Sequence, residues 1–204
     1  MVNEYYNFIK VYIEKLIEKS KRQNNSFFVV KHYNSFELRE KDLLKISKEY
    51  GGKKYSCFFR EYKRGNMVDG LDPFLFLVRK MYEMYYSNLS LSEFLDRFQI
   101  YSLHRSIFTS YIQSGYCQRG EDLILSEVEY ERELVYDEII RMLVGISKEH
   151  PIILGINGLN ELSKFALEIF TKLLDTPENG KIIVVAAFND LHSVLPHIQN
   201  TWEA

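Results

Sequence analysis

The chain has 204 residues, 46% of them hydrophobic, which is ample for one α/β core. A formal net charge of -2 and a pI near 6.2 give no global attraction to nucleic acid or to acidic membrane surfaces. The two cysteines, Cys57 and Cys117, lack CxxC spacing and form neither a metal knuckle nor a disulfide framework, which points to a reducing, cytoplasmic setting.

Residues 4–22 have the spacing of an amphipathic helix, with Phe8, Tyr12, Ile13, Leu16 and Ile17 on one face. Glu4, Glu14 and Glu18 interrupt its apolar residues, which does not fit a signal peptide. No apolar run in the chain approaches the ~20 residues of a bilayer span. Gln23-Asn24-Asn25-Ser26 breaks the helix, and Phe27-Phe28-Val29-Val30 reads as a short, buried first strand. Asn34 with Glu37 has capping-box spacing. The helix it opens carries Phe36, Leu43, Ile46 and Tyr50 on its buried stripe until Gly51-Gly52 stops it. Tyr55-Ser56-Cys57-Phe58-Phe59 is the second strand.

Residues 65–70 read as a loop, and Asp72-Pro73 as a cap followed by a first-turn proline. A strongly aromatic helix runs from there to about Ser87. Ser90 and Glu93 form a second capping box opening a short helix, and residues 101–114 read as helical. A long helix over residues 121–148 follows, with Leu125, Val128, Val135, Ile139, Met142, Leu143 and Ile146 on its stripe. Its glutamates Glu127, Glu129, Glu131 and Glu133 do not converge on one side, so a solvated helix start is expected rather than a metal cluster. The third strand, residues 152–156, feeds a helix over 161–174 with Leu162, Phe165, Ile169 and Leu173 inward. A turn at 177–180 leads to the fourth strand, residues 182–187, and residues 191–202 look helical apart from Pro196. The expectation is a single domain over 1–204, with an N-terminal helix in 1–25 and a mainly helical insertion over 72–149.

This order of strand, loop, helix, strand, helical stretch and strand–helix–strand is the layout of P-loop ATPases of the AAA-like and signal-transducing (STAND) type. The chain resembles such a module across roughly residues 26–190. The match is closest from Pro151 to Asp190: a proline-led apolar strand, a helix with regular leucines and a second apolar strand. The resemblance implies a three-layer parallel α/β sheet of P-loop NTPase type, with the fourth strand between the first and third. It also implies a site at the strands' carboxyl ends. The tyrosine-rich N-terminal helix and residues 34–44 also look like the front end of large clostridial-type bacterial signalling proteins. Those carry an ATPase-like region, helical repeats and an output domain such as a diguanylate cyclase. No GGDEF-like segment is present, so no cyclase activity is expected here. Relatives continue into a fifth strand and a helical lid after the fourth strand, so the chain is expected to be a fragment or a truncated relative.

The family's chemistry is mostly missing. Its phosphate loop needs glycines that turn backbone N–H groups inward, a Lys and a hydroxyl. The corresponding residues here run from Lys31-His32-Tyr33-Asn34-Ser35 through Phe36-Glu37-Leu38-Arg39, without a glycine. Glu37 adds negative charge where phosphate would sit. The acidic residue that closes the third strand and manages Mg²⁺ and water is replaced by Asn157 and Asn160. Asn189 matches the polar sensor after the fourth strand. By resemblance, Lys31, Ser35, Arg39, Asn157 and Asn189 are the residues that would meet a bound nucleotide. No catalytic residue, metal or cofactor is expected, with ATP or ADP the one ligand class in view.

Elsewhere, His32, His104, His150, His192 and His197 show no i,i+4 zinc spacing. Cys117, in its glycine-flanked loop beside Arg119, has no evident orienting His or acid, so it reads as ordinary loop chemistry. Arg and Tyr residues over 101–105 could stack on bases, but the acidic balance argues against nucleic acid. The expected function is a non-hydrolysing, ATPase-like regulatory or interaction module. Protein partners or self-association would use its aromatic helices, without nucleic acid or membrane. The alternatives are a divergent NTPase using Glu161 with Lys31 or Arg39, and a nucleotide sensor that binds without cleaving.

Overall fold

The computed structural model describes residues 39–46, 48–49, 55–63, 70–115, 129–176 and 180–187, together with single positions of a helix between 7 and 18. Three parallel strands form the sheet: β1 (Ser56–Glu61), β2 (Ile152–Asn157) and β3 (Ile182–Ala187), in the order β1-β2-β3. The register sets Ser56, Ile152 and Ile182 in one row and Glu61, Asn157 and Ala187 in the last. The protein is therefore a mixed α/β fold on a parallel sheet.

Strand periodicity divides the side chains between two faces. On one, Phe58, Ile152, Leu154, Ile156, Ile182, Val184 and Ala186 join the main core with residues of the helices described below. On the other, Ile153, Ile183, Val185 and Ala187 pack with Leu43 and Ile46 of α1 (Glu40–Ile46) and with Ile13. Cys57 and Phe59 of β1 border that second cluster. Burial on both sides explains why β2 and β3 are unbroken apolar runs rather than alternating ones.

Between β1 and β2 the described residues are mainly helical, as the sequence predicts. α2 (Phe74–Met81) runs into a π-helical turn, Tyr82–Tyr86, which buries Tyr86 and leaves Met84 and Tyr85 outward. The predicted capping box opens α3 (Leu91–Arg97): Glu93 N–H donates to Ser90 Oγ at 3.3 Å, and Ser90 N–H donates to Glu93 Oε2 at 2.8 Å. Tyr82, Tyr86, Phe94 and Phe98 pack as tilted and edge-on rings around it. α4 (Arg105–Ser114) begins later than predicted, because residues 101–104 form a turn, and it ends at Gly115 with φ +84°. α5 (Glu129–Glu149) buries Val135, Ile139, Met142, Leu143 and Ile146 of the predicted stripe, while Leu125 and Val128 lie outside the described residues.

Two further expectations are corrected. The helix after β2, α6, is Lys164–Asp175 and opens at Ser163, whose Oγ accepts from Ala166 N–H at 3.0 Å; Glu161 instead lies in a 3-10 turn, Leu159–Glu161. Asp72 does not cap α2, whose N-cap is Pro73 without a side-chain bond; its carboxylate pairs with Arg60 of β1. The predicted first strand, Phe27-Phe28-Val29-Val30, the Asn34–Glu37 box and the final helical stretch lie outside the described residues. Among the described residues, no helix is long and apolar enough to cross a membrane.

Candidate functional site at the carboxyl edge of the sheet

At the carboxyl edge the ladder continues one step past the strands. Tyr62 N–H donates to Asn157 O at 2.8 Å, and Gly158 N–H donates to Ala187 O at 2.9 Å. Gly158 then turns with φ +79°, and a Cβ built there would lie 2.3 Å from the carbonyl oxygen of Tyr62. Only glycine combines that left-handed turn with so close an approach. The chain enters the 3-10 turn, closed by Glu161 N–H donating to Gly158 O at 2.9 Å.

Asn157 therefore ends β2, the middle one of the three described strands, with a carboxamide. It is half-buried, and its carboxamide makes no hydrogen bond among the described residues. Glu161 is the nearest acid in sequence, and its Oε1 accepts from Asn160 Nδ2 at 2.8 Å.

Beside this edge lies a charged cluster that sequence reasoning missed. Arg60 of β1 pairs through a guanidinium nitrogen with Asp72, which is 3% exposed. The guanidinium also lies over the ring of Phe76 at 4.3 Å. Burial lowers the Arg60 pKa, but the hydrogen bond and charge of Asp72 outweigh it and raise it overall. The buried Tyr62 hydroxyl sits beside both charges without a hydrogen bond of good geometry. Burial first, then the Asp72 charge, pushes its pKa up, so it remains a phenol rather than a base. A charged residue inside the run Ser56-Cys57-Phe58-Phe59-Arg60-Glu61 was the available signal, since such a residue needs a partner when buried.

Of the residues singled out from the sequence, Lys31, Ser35 and Asn189 lie outside the described residues. Arg39 precedes α1, and its Nε donates to Asp42 Oδ2 at 2.6 Å, so its charge is already matched. Asn157 stands at the strand end as expected. No hydrogen bond or ion pair joins Arg39 and Asn157. The arrangement at this edge offers hydrogen bonding from amides and from paired charges. Among the described residues, no group of three or more His, Cys, Asp or Glu is arranged to hold a metal ion.

A second unforeseen cluster lies between α4 and α5. His104, 4% exposed, faces Glu138 through Nδ1 at 2.8 Å and Glu131 through Nε2 at 3.0 Å. Glu131 is thus a partner of a buried ring, and Glu133 is one of Lys172; neither is merely a solvated helix start. The seven-residue spacing of Glu131 and Glu138, two turns along one helix face, was the sequence signal. Compared with known families and characterised proteins, the chain matches no protein-family model and no curated protein.

Proposed function

We propose that the chain is a non-hydrolysing, ATPase-like regulatory or protein-interaction module of a cytoplasmic bacterial signalling protein. The observation that carries this reading is the end of β2. A carboxamide, Asn157, occupies the position where Mg²⁺ and water would require a carboxylate, on a parallel sheet that has otherwise kept its apolar strands. Two further features support it. The Arg39 guanidinium is taken by Asp42, and Glu161 is engaged with Asn160, so neither stands ready to replace the missing groups. The finer fold assignment, a three-layer P-loop type sheet, belongs to the same proposal. It places Phe27-Phe28-Val29-Val30 beside β3, whose six residues are all buried although β3 is an edge strand among the described residues.

Protein partners fit the exposed apolar side chains. Met84, Tyr101, Leu103 and Tyr130 are each more than half exposed, on the helical part of the chain. The test is turnover of Mg-ATP by the wild type and by Glu161→Gln. No turnover in either protein is the expected result; turnover that disappears in Glu161→Gln would establish the divergent NTPase instead. Calorimetry with ATP and ADP at millimolar concentration separates a silent module from a sensor that binds without cleaving.

A further inference from the structure

We propose that Asn157 and Gly158 form a spontaneous modification site, at which the Gly158 backbone nitrogen attacks the Asn157 carboxamide whenever the carboxyl end of β2 opens. The step closes a five-membered succinimide. The nitrogen loses its proton and bonds to the carbonyl carbon of the carboxamide; the carboxamide nitrogen takes up a proton and leaves as ammonia. Water then opens the ring at either carbonyl, giving aspartate, or isoaspartate with the main chain rerouted through the side chain. Glycine after asparagine suits ring closure, since no side chain crowds the attacking nitrogen. This fold cannot dispense with that glycine: Tyr62 O lies 2.3 Å from where a Cβ would stand, and φ is +79°. The close contact that ends the ladder therefore places a reactive pair there.

The same ladder holds the reaction in check. Both polar groups of the peptide unit between the two residues are taken, one from each side of β2. Asn157 O accepts from Tyr62 N–H at 2.8 Å, and Gly158 N–H donates to Ala187 O at 2.9 Å. The proton that must leave is thus hydrogen-bonded and lies in the plane of the sheet, pointing at β3. The Asn157 side chain stands off the sheet face, on the side of Ile153. The nitrogen lone pair uncovered by proton loss therefore faces Ala187 O rather than the carboxamide carbon. Ring closure needs that peptide plane to turn, and both bonds must break first. Conversion then leaves a mark. Aspartate sets a second carboxylate beside Glu61, its register partner in the last row, where like charges repel. Isoaspartate adds a methylene to the main chain and moves Gly158 out of line with Ala187. The site depends on main-chain geometry and is independent of what the carboxyl edge binds.

Mass spectrometry of the full chain, held in mildly alkaline buffer either folded or in urea, reads the site. Fragmenting the tryptic peptide over residues 149–164 separates position 157 from Asn160. In the unfolded chain Asn157 converts alongside Asn179, which also precedes a glycine, and isoaspartate exceeds aspartate. In the folded chain the rate at Asn157 is lower by about tenfold or more, because only opened molecules react. Urea below the unfolding midpoint speeds that conversion in step with hydrogen exchange of the Gly158 amide, read by NMR, since its bond to Ala187 O is one that must break. Four results would each overturn the proposal: a folded rate equal to the unfolded one, an Asn157 that survives in urea while Asn179 converts, aspartate without isoaspartate, or conversion unmoved by the opening of Gly158.

Discussion

At position 158 a hydrogen in place of a side chain lets the ends of β1 and β2 close on each other, because a Cβ would meet Tyr62 O at 2.3 Å and φ is +79°. Gly158→Ala is expected to lower stability by about 2 kcal/mol or more, from the left-handed backbone and the displaced strand end, measured by urea unfolding. His104→Ala leaves the buried Glu138 without its ring partner, and a loss of about 3–5 kcal/mol is expected. Glu138→Gln in the same background should recover part of that loss, because it removes the stranded charge. At this scale the sequence was legible where a residue acts through its neighbours in the chain, as Ser90 does with Glu93. It was not legible where the partner is distant. Asp72 looks like a cap until Arg60 is seen beside it, and His104 looks isolated until α5 brings two glutamates to it.

Ser163 serves two elements at once: its Oγ accepts from Ala166 N–H at 3.0 Å and donates to Gly70 O at 2.9 Å, joining the start of α6 to the loop before α2. Ser163→Ala should therefore cost about 1–2 kcal/mol, at the upper end for a cap, read as a lower urea midpoint with unchanged slope. A pH effect belongs to α3 and to the π-helical turn. Glu93 is held below the ordinary carboxylate range by hydrogen bonds from the Ser90 side chain and backbone. Glu83 is held low by Lys80 first and Arg79 second. Folded values below unfolded ones mean that the stabilisation is present above the ordinary carboxylate pKa and disappears as pH falls through the depressed values. Acid titration followed by NMR should show the start of α3 loosening on that side. The positions of the helices were largely readable from apolar periodicity. Their starts were not, since Glu161 and Tyr101 fit helical spacing while the chain uses both in turns.

Two apolar layers on opposite faces of one sheet make β2 the hub of the whole molecule, so Leu154→Ala, at a fully buried site, should destabilise by about 2–5 kcal/mol and lower the melting temperature in a single transition. Cys57 reports on the second face. Burial, with the Glu40 charge adding to it, pushes its thiol up to about 12. In a Cys117→Ser background, Cys57 should resist a thiol reagent at neutral pH until urea opens the fold; labelling at the rate of an unfolded peptide would contradict that burial. The parallel α/β class was legible because doubly buried strands leave continuous apolar runs. The site was less so: Asn157 could be placed at a strand end, but a carboxamide says what that position lacks rather than what it meets. The strand order carries a further consequence. β1 and β2 are neighbours in the sheet, yet α2 to α5 lie between them in the chain. A ribosome must therefore deliver that entire helical stretch before the β1–β2 ladder can zip, and the helices have time to assemble among themselves before β2 arrives.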